Sequence, residues 1–124
     1  MSFDSALQNF KEIITKARPE STHDIEIAVG KTLDNICTTL LNSRVARQNS
    51  IVPSVVKAAQ EFAGMPSGTW SDSWFVKRIT TKNLGNCANT IMNTWPDLNK
   101  NDVIEAVKTG ARLWVERVIK ENAE

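Results

Sequence analysis

From Phe3 to Val118 the apolar residues of this chain recur every three to four positions, in runs cut by proline, glycine and asparagine. A period near 3.6 gathers such residues on one side of a helix, whereas a half-buried strand alternates with a period of two. The longest uninterrupted apolar runs are Ile27 to Val29, Trp74 to Val76 and Leu113 to Val115, at three residues each. A membrane-spanning helix needs about 20. The pattern therefore predicts an all-α protein, a single compact domain over 1–124 with five to six helices in orthogonal or bundle-like packing. With 124 residues, such a fold buries roughly two-thirds of its unfolded surface and needs no metal or disulfide to hold it.

Phe3, Ala6, Leu7, Phe10, Ile13, Ile14 and Ala17 predict a first helix, closed by Pro19. Ser21 and Asp24 have the form of a capping box ahead of a second helix through Ile25, Val29, Leu33, Ile36, Leu40 and Val45, expected to be the longest. Ser50 is the expected cap of a third, with Pro53 in its first turn and Gly64 and Pro66 at its end. Its stripe is Val52, Val55, Val56, Ala59 and Phe62, with Lys57, Gln60 and Glu61 outside. Beyond the glycine- and proline-bearing loop 64–69, the spacing predicts a short helix over 71–81, where Val, Ile and Thr leave a strand as the alternative. A separate short helix follows over 83–94, stopped by Pro96. Asn99 or Asn101 caps the last helix, with Val103, Ile104, Val107, Ala111, Trp114 and Val118 facing inward. Gly110 also falls on that inward face, where it costs about 1 kcal/mol relative to alanine, so a neighbouring helix is expected to pass close by.

Residue types for chemistry are scarce. Cys37 and Cys87 each lie in an apolar stretch and read as buried core thiols. With His23 as the single histidine, the chain falls short of the four ligands of a structural zinc site. Asp97, Asn99 and Asn101 reproduce the first, third and fifth ligands of an EF-hand loop. Asp102 then replaces the turn glycine and Lys108 the closing glutamate, so no calcium site is expected. His23 stands at a helix start, and no phosphate loop, nucleophile elbow or metal-binding helix accompanies it. The expectation is a cytoplasmic, non-enzymatic protein with no cofactor, no metal and no membrane segment.

The net charge of +1 conceals an asymmetry. Residues 42–82 carry six basic and two acidic groups, among them Arg44, Arg47, Lys57, Lys77, Arg78 and Lys82. Within this region Glu61 to Met65, followed by Thr69 to Ser71, resembles the turn of the helix-turn-helix used by bacterial repressors. Ala63, Gly64 and Met65 match the small residue, turn glycine and following apolar residue, and Trp70 matches a buried recognition-helix position. The pattern departs at Gln60, where a small residue belongs, and at Ser73, where an apolar anchor belongs. A recognition helix starting at Ser67 would offer no Arg, Lys, Asn or Gln at its leading end for base contacts.

Trp70 and Trp74 are four residues apart beside Phe75, which places both indoles on one face of a helix with Lys77, Arg78 and Lys82 as a basic rim. Such a face is either a core anchor or a partner-binding surface. The leading expectation is a small interaction protein, a regulator, inhibitor or assembly subunit. It would act by contact with a protein partner or by self-association, through Trp70, Trp74, Lys77, Arg78, Lys82, Arg44 and Arg47. The alternative is a nucleic-acid-binding protein that uses the helix-turn-helix-like segment around residues 56–79.

Overall fold

Asp24 turns back on the chain before it: its carboxylate accepts from the backbone N–H of Glu20 at 3.0 Å and of Ser21 at 3.4 Å. That is the returning half of a capping box, and it satisfies donors that a helix start leaves without partners. Helix α1, Thr22–Ser43, begins there. In the computed structural model the described residues are 10–13, 16, 18–43, 47–66 and 73–122. Helices α2 (Gln48–Phe62), α3 (Trp74–Thr94) and α4 (Lys100–Asn122) follow, and the stretch 10–13 is helical as well. Among the described residues there is no strand, and the architecture is all-α. Most of the expected first helix lies outside the described residues, but Phe10 is fully buried and anchors that stretch to the core.

Helix α2 starts ahead of the expected Ser50. Arg47 is its N-cap, with extended backbone and no side-chain cap. Ser50 sits in the first turn, its N–H and its hydroxyl both donating to the Arg47 carbonyl at 2.9 and 2.8 Å. Pro53 consequently falls in the second turn, where its missing N–H removes one helical bond. The far end matches expectation: Gly64 takes φ 74°, and Met65 N–H bonds the Gln60 carbonyl at 2.8 Å while Gly64 N–H bonds that of Glu61 at 3.2 Å. This is a Schellman motif, in which glycine supplies the left-handed residue.

The single stripe expected for α2 is too narrow. Ile51, Ser54, Val55, Val56, Ala58, Ala59 and Gln60 are all buried, because α1, α3 and α4 all pack on this helix. Gln60, expected outside the stripe, is thus enclosed, and its Oε1 accepts no hydrogen bond among the described residues.

Helix α3 is one element where two short helices were expected, and 74–81 is helix rather than strand. The polar residues at the junction of the two expected helices bond within their own helix. The Thr80 hydroxyl donates to the Val76 carbonyl and the Asn83 amide to the Ile79 carbonyl, each at 2.9 Å. Both residues are buried without leaving a polar group unsatisfied. Asn99, of the two candidate caps, starts α4 by accepting from the Asp102 N–H at 3.1 Å. At 23 residues α4 is longer than α1, which has 22. Ile104, expected inward, is exposed, and Ala106 and Val115 join Val103, Val107, Ala111 and Trp114 inside.

Helices α1 and α4 form the most extensive helix pair and run in the same direction. Thr22 and Ile25 lie by Asp102 and Val103, Val29 lies by Gly110, and Asp34 bonds Trp114 and Arg117. At the middle crossing a Cβ on Gly110 would stand 2.9 Å from Val29 Cβ and 3.0 Å from Glu26 Cα and O. The close approach expected at Gly110 is therefore present. Farther along, Asp34 Oδ1 accepts from Trp114 Nε1 at 2.8 Å and from Arg117 at 2.7 Å, and Oδ2 accepts from Arg117 at 2.9 Å.

The corner between α3 and α4 is tied to the residues ahead of α1. Arg18 donates to Asp97 at 2.8 Å and lies 5.7 Å from the centroid of the Trp95 ring. The pair holds the Asp97 carboxyl below, and the Arg18 guanidinium above, its ordinary range, chiefly through that hydrogen bond. Asp97 and Asn99, the first two ligands of the calcium-like string, are thus an ion-pair partner and a helix cap.

Candidate interaction surface

The start of α3 is placed by a chain of hydroxyls. Ser54, fully buried on α2, donates to the Ser50 carbonyl at 2.6 Å and accepts from the Ser73 N–H at 2.8 Å. Ser73 is the N-cap of α3, with φ −92° and ψ 115°, and its hydroxyl accepts from Val76 N–H at 3.3 Å. Ser73, which departs from the repressor pattern where an apolar anchor belongs, is a helix cap. It also lies beside Ser54, eight residues ahead of the α2 terminus, about 12 Å at the helical rise. A helix-turn-helix joins its helices by a tight turn of three to four residues. Here Ser73, the residue at which α3 opens, lies alongside the middle of α2. The positions 67–72 of the expected recognition helix, Trp70 among them, lie outside the described residues, as does Arg44.

Capped in this way, α3 buries Val76, Thr80, Asn83 and Leu84 and turns Trp74 and Phe75 outward, 68% and 42% exposed. Arg78, one turn on, places its guanidinium 5.2 Å from the centroid of the Trp74 ring, a separation at which cation and π-face attract. Lys77 is held by the Glu61 carboxylate of α2 at 3.3 Å. Neither Arg78 nor Lys82 has a carboxylate partner among the described residues. Trp74, Lys77, Arg78, Thr81 and Lys82 line one shallow depression of about 430 Å³. The structure thus brings together four of the sequence-predicted residues, Trp74, Lys77, Arg78 and Lys82. Arg47 is exposed at the opposite end of α2 from Glu61.

A second feature is not apparent in the sequence. Ile27 and Leu113 are exposed large apolar residues along the α1–α4 seam, and Ile13, also exposed, stands on the other side of Ile27. Ile27 lines two depressions, one shared with Ile13 and the other, at the seam, with Leu113 and the two glycines Gly30 and Gly110. The available signal was the apolar triplets Ile27–Val29 and Leu113–Val115: three consecutive helical residues span about 200° of arc, so one must leave a narrow core face.

The remaining chemistry-bearing groups are quiescent. Cys37 is half-buried and Cys87 buried, both as free thiols. Burial pushes each up to about 12, helped at Cys37 by the Asp34 charge and opposed at Cys87 by a hydrogen bond with Thr32. At neutral pH such thiols are protonated and poor nucleophiles. His23 is exposed and stands 3.7 Å from Glu26, one turn along α1. Among the described residues no three His, Cys, Asp or Glu side chains are grouped to hold a metal ion, and no helix is long and apolar enough to cross a membrane. Comparison of the chain with protein families, curated proteins and solved structures finds no match.

Proposed function

We propose that this chain is a non-enzymatic helical interaction module that docks a protein partner through the Trp74–Lys82 face of α3. The observation that carries the reading is the Trp74 indole, 68% exposed and stacked with Arg78 on a capped, well-anchored helix. A folded chain gains nothing from leaving its largest apolar side chain in water, whereas Trp and Arg are the residues over-represented where binding energy concentrates. The rigid helix presents both without a further ordering cost on docking. A nucleic-acid strand is the second reading, because an exposed indole next to two cations is also a stacking platform for bases.

The test is affinity capture from the native host with the wild-type chain and with Trp74→Ala, followed by reconstitution with each purified candidate. A partner bound through this face loses about 30-fold or more in affinity on truncation of a central tryptophan. Solution mass by light scattering, alone and with an oligonucleotide, separates a self-associating chain and a nucleic-acid binder in the same series. Partners that bind Trp74→Ala as tightly as wild type would overturn the proposal.

A further inference from the structure

Resting on that docking reading, the geometry points to the chemistry of the partner: we infer that the α3 face takes an acidic protein segment, with an apolar side chain seated on Trp74 and carboxylates on Arg78 and Lys82. Helix α3 carries Lys77, Arg78 and Lys82 and no Asp or Glu in its 21 residues. Among the described residues, Glu61 is paired onto it from α2, and it engages Lys77. The two cations left over, Arg78 and Lys82, are one helical turn apart, about 6 Å along the axis. That matches carboxylates at i and i+4 of a partner helix.

Stacking on Trp74 restrains the Arg78 side chain before anything binds. A guanidinium presents five N–H donors in a planar fork that matches a carboxylate bidentately, which an ammonium cannot do. Phe75, 42% exposed beside Trp74, widens the apolar part of the surface that an amphipathic segment would cover. Two cations without a carboxylate partner among the described residues are also too few for a nucleic acid. Neutralising two phosphates of a single strand gives a salt slope of only about −1.4 in log affinity.

The experiment is selection of a phage-displayed 12-residue peptide library on the immobilised full chain, with counter-selection on Trp74→Ala. Enriched peptides are then titrated against wild type, Arg78→Lys and Arg78→Glu, each checked for native circular dichroism, and a 15-mer of deoxythymidylate serves as competitor. The expected result is enrichment of sequences pairing Asp or Glu with Leu, Phe or Trp. Their affinity should fall about 3- to 10-fold in Arg78→Lys and at least 10-fold in Arg78→Glu. Enrichment of neutral sequences that still depend on Trp74 overturns the acidic segment and leaves the docking face standing. Absence of any Trp74-dependent enrichment overturns both. Tight deoxythymidylate binding that is lost in both Trp74→Ala and Arg78→Glu assigns the face to nucleic acid and overturns the inference.

Discussion

Replacing Gly110 with alanine sets two effects of opposite sign against each other at one residue. Alanine in a helix interior is favoured over glycine by about 1 kcal/mol. Its Cβ, however, would lie 2.9 Å from Val29 Cβ and 3.0 Å from the Glu26 Cα and carbonyl oxygen of α1. Two of those atoms are backbone, so relief requires the helices to separate rather than a side chain to rotate. Forcing a methyl into a packed contact costs about 1–3 kcal/mol, and a backbone contact belongs at the upper end. Gly110→Ala should therefore lose about 1–2 kcal/mol net, about 3–8 °C in Tm for a chain of this size. Gly30 and Gly85 are the internal controls: both lie inside helices, and a Cβ on either meets nothing within 4 Å. Gly30→Ala and Gly85→Ala should each gain about 0.5–1 kcal/mol. Urea titrations of the four proteins with equal m-values decide the matter. If Gly110→Ala proved as stable as Gly30→Ala, the close α1–α4 crossing would be refuted.

Ser54→Ala should cost about 1–2 kcal/mol in urea unfolding by orphaning the Ser73 N–H, and should weaken any Trp74-dependent ligand because α3 loses its tether. Asp34→Ala strands the Trp114 indole N–H, and should cost about 1–2 kcal/mol; Arg117→Ala breaks only a half-exposed ion pair and should cost less than about 1 kcal/mol. Both thiols titrate at about 12 in the fold against 9.0 in an unstructured chain. The thiols' contribution to stability should therefore be flat below pH 9 and fall from there towards pH 12, as the unfolded thiols ionise first. Thiol-reagent labelling at pH 8 should correspondingly be slow until denaturant is added. Asp97 is held below 3.8 by Arg18, so its contribution is present above pH 4 and lost as the pH falls through the lowered value. An Asp97 carboxyl titrating at or above 3.8 by NMR would show that the Arg18 contact is not made.

Periodicity specified the helices well where one face is buried and the other solvated, as in α1 and α4. It failed where that condition fails. α2 is packed by three helices, so Gln60 and Ser54 are enclosed despite their polarity, on sides of the helix that its apolar stripe does not mark. The break expected in α3 falls beside Thr80 and Asn83, whose intrinsic helix propensities are low, while their side chains bond carbonyls one turn back. Gly110 was legible because a glycine on an inward helix face sacrifices both helix propensity and buried apolar area, a loss that close packing of a neighbouring backbone offsets. At the candidate surface, the grouping of Trp74, Lys77, Arg78 and Lys82 followed from helical spacing alone. The outward direction of Trp74 did not, since it depends on Ser73 capping the helix and on Ser54 lying beside that cap from a different helix. The Ile27–Leu113 seam depends on two helices distant in sequence running side by side, which no local pattern encodes.

The shared direction of α1 and α4 also gives the protein an electrical polarity. Each helix carries about half a positive elementary charge at its N-terminus, and here those two ends stand together, as Thr22 and Asp102 line one depression. Neighbouring like poles repel, whereas antiparallel neighbours would cancel. Asp24 and Asp102, the acids in the two first turns, offset that repulsion, Asp24 while also accepting from backbone donors. Neutralising both should therefore cost more than twice the roughly 0.3–1 kcal/mol of a single helix-end charge, because each carboxylate screens its neighbour's pole as well as its own.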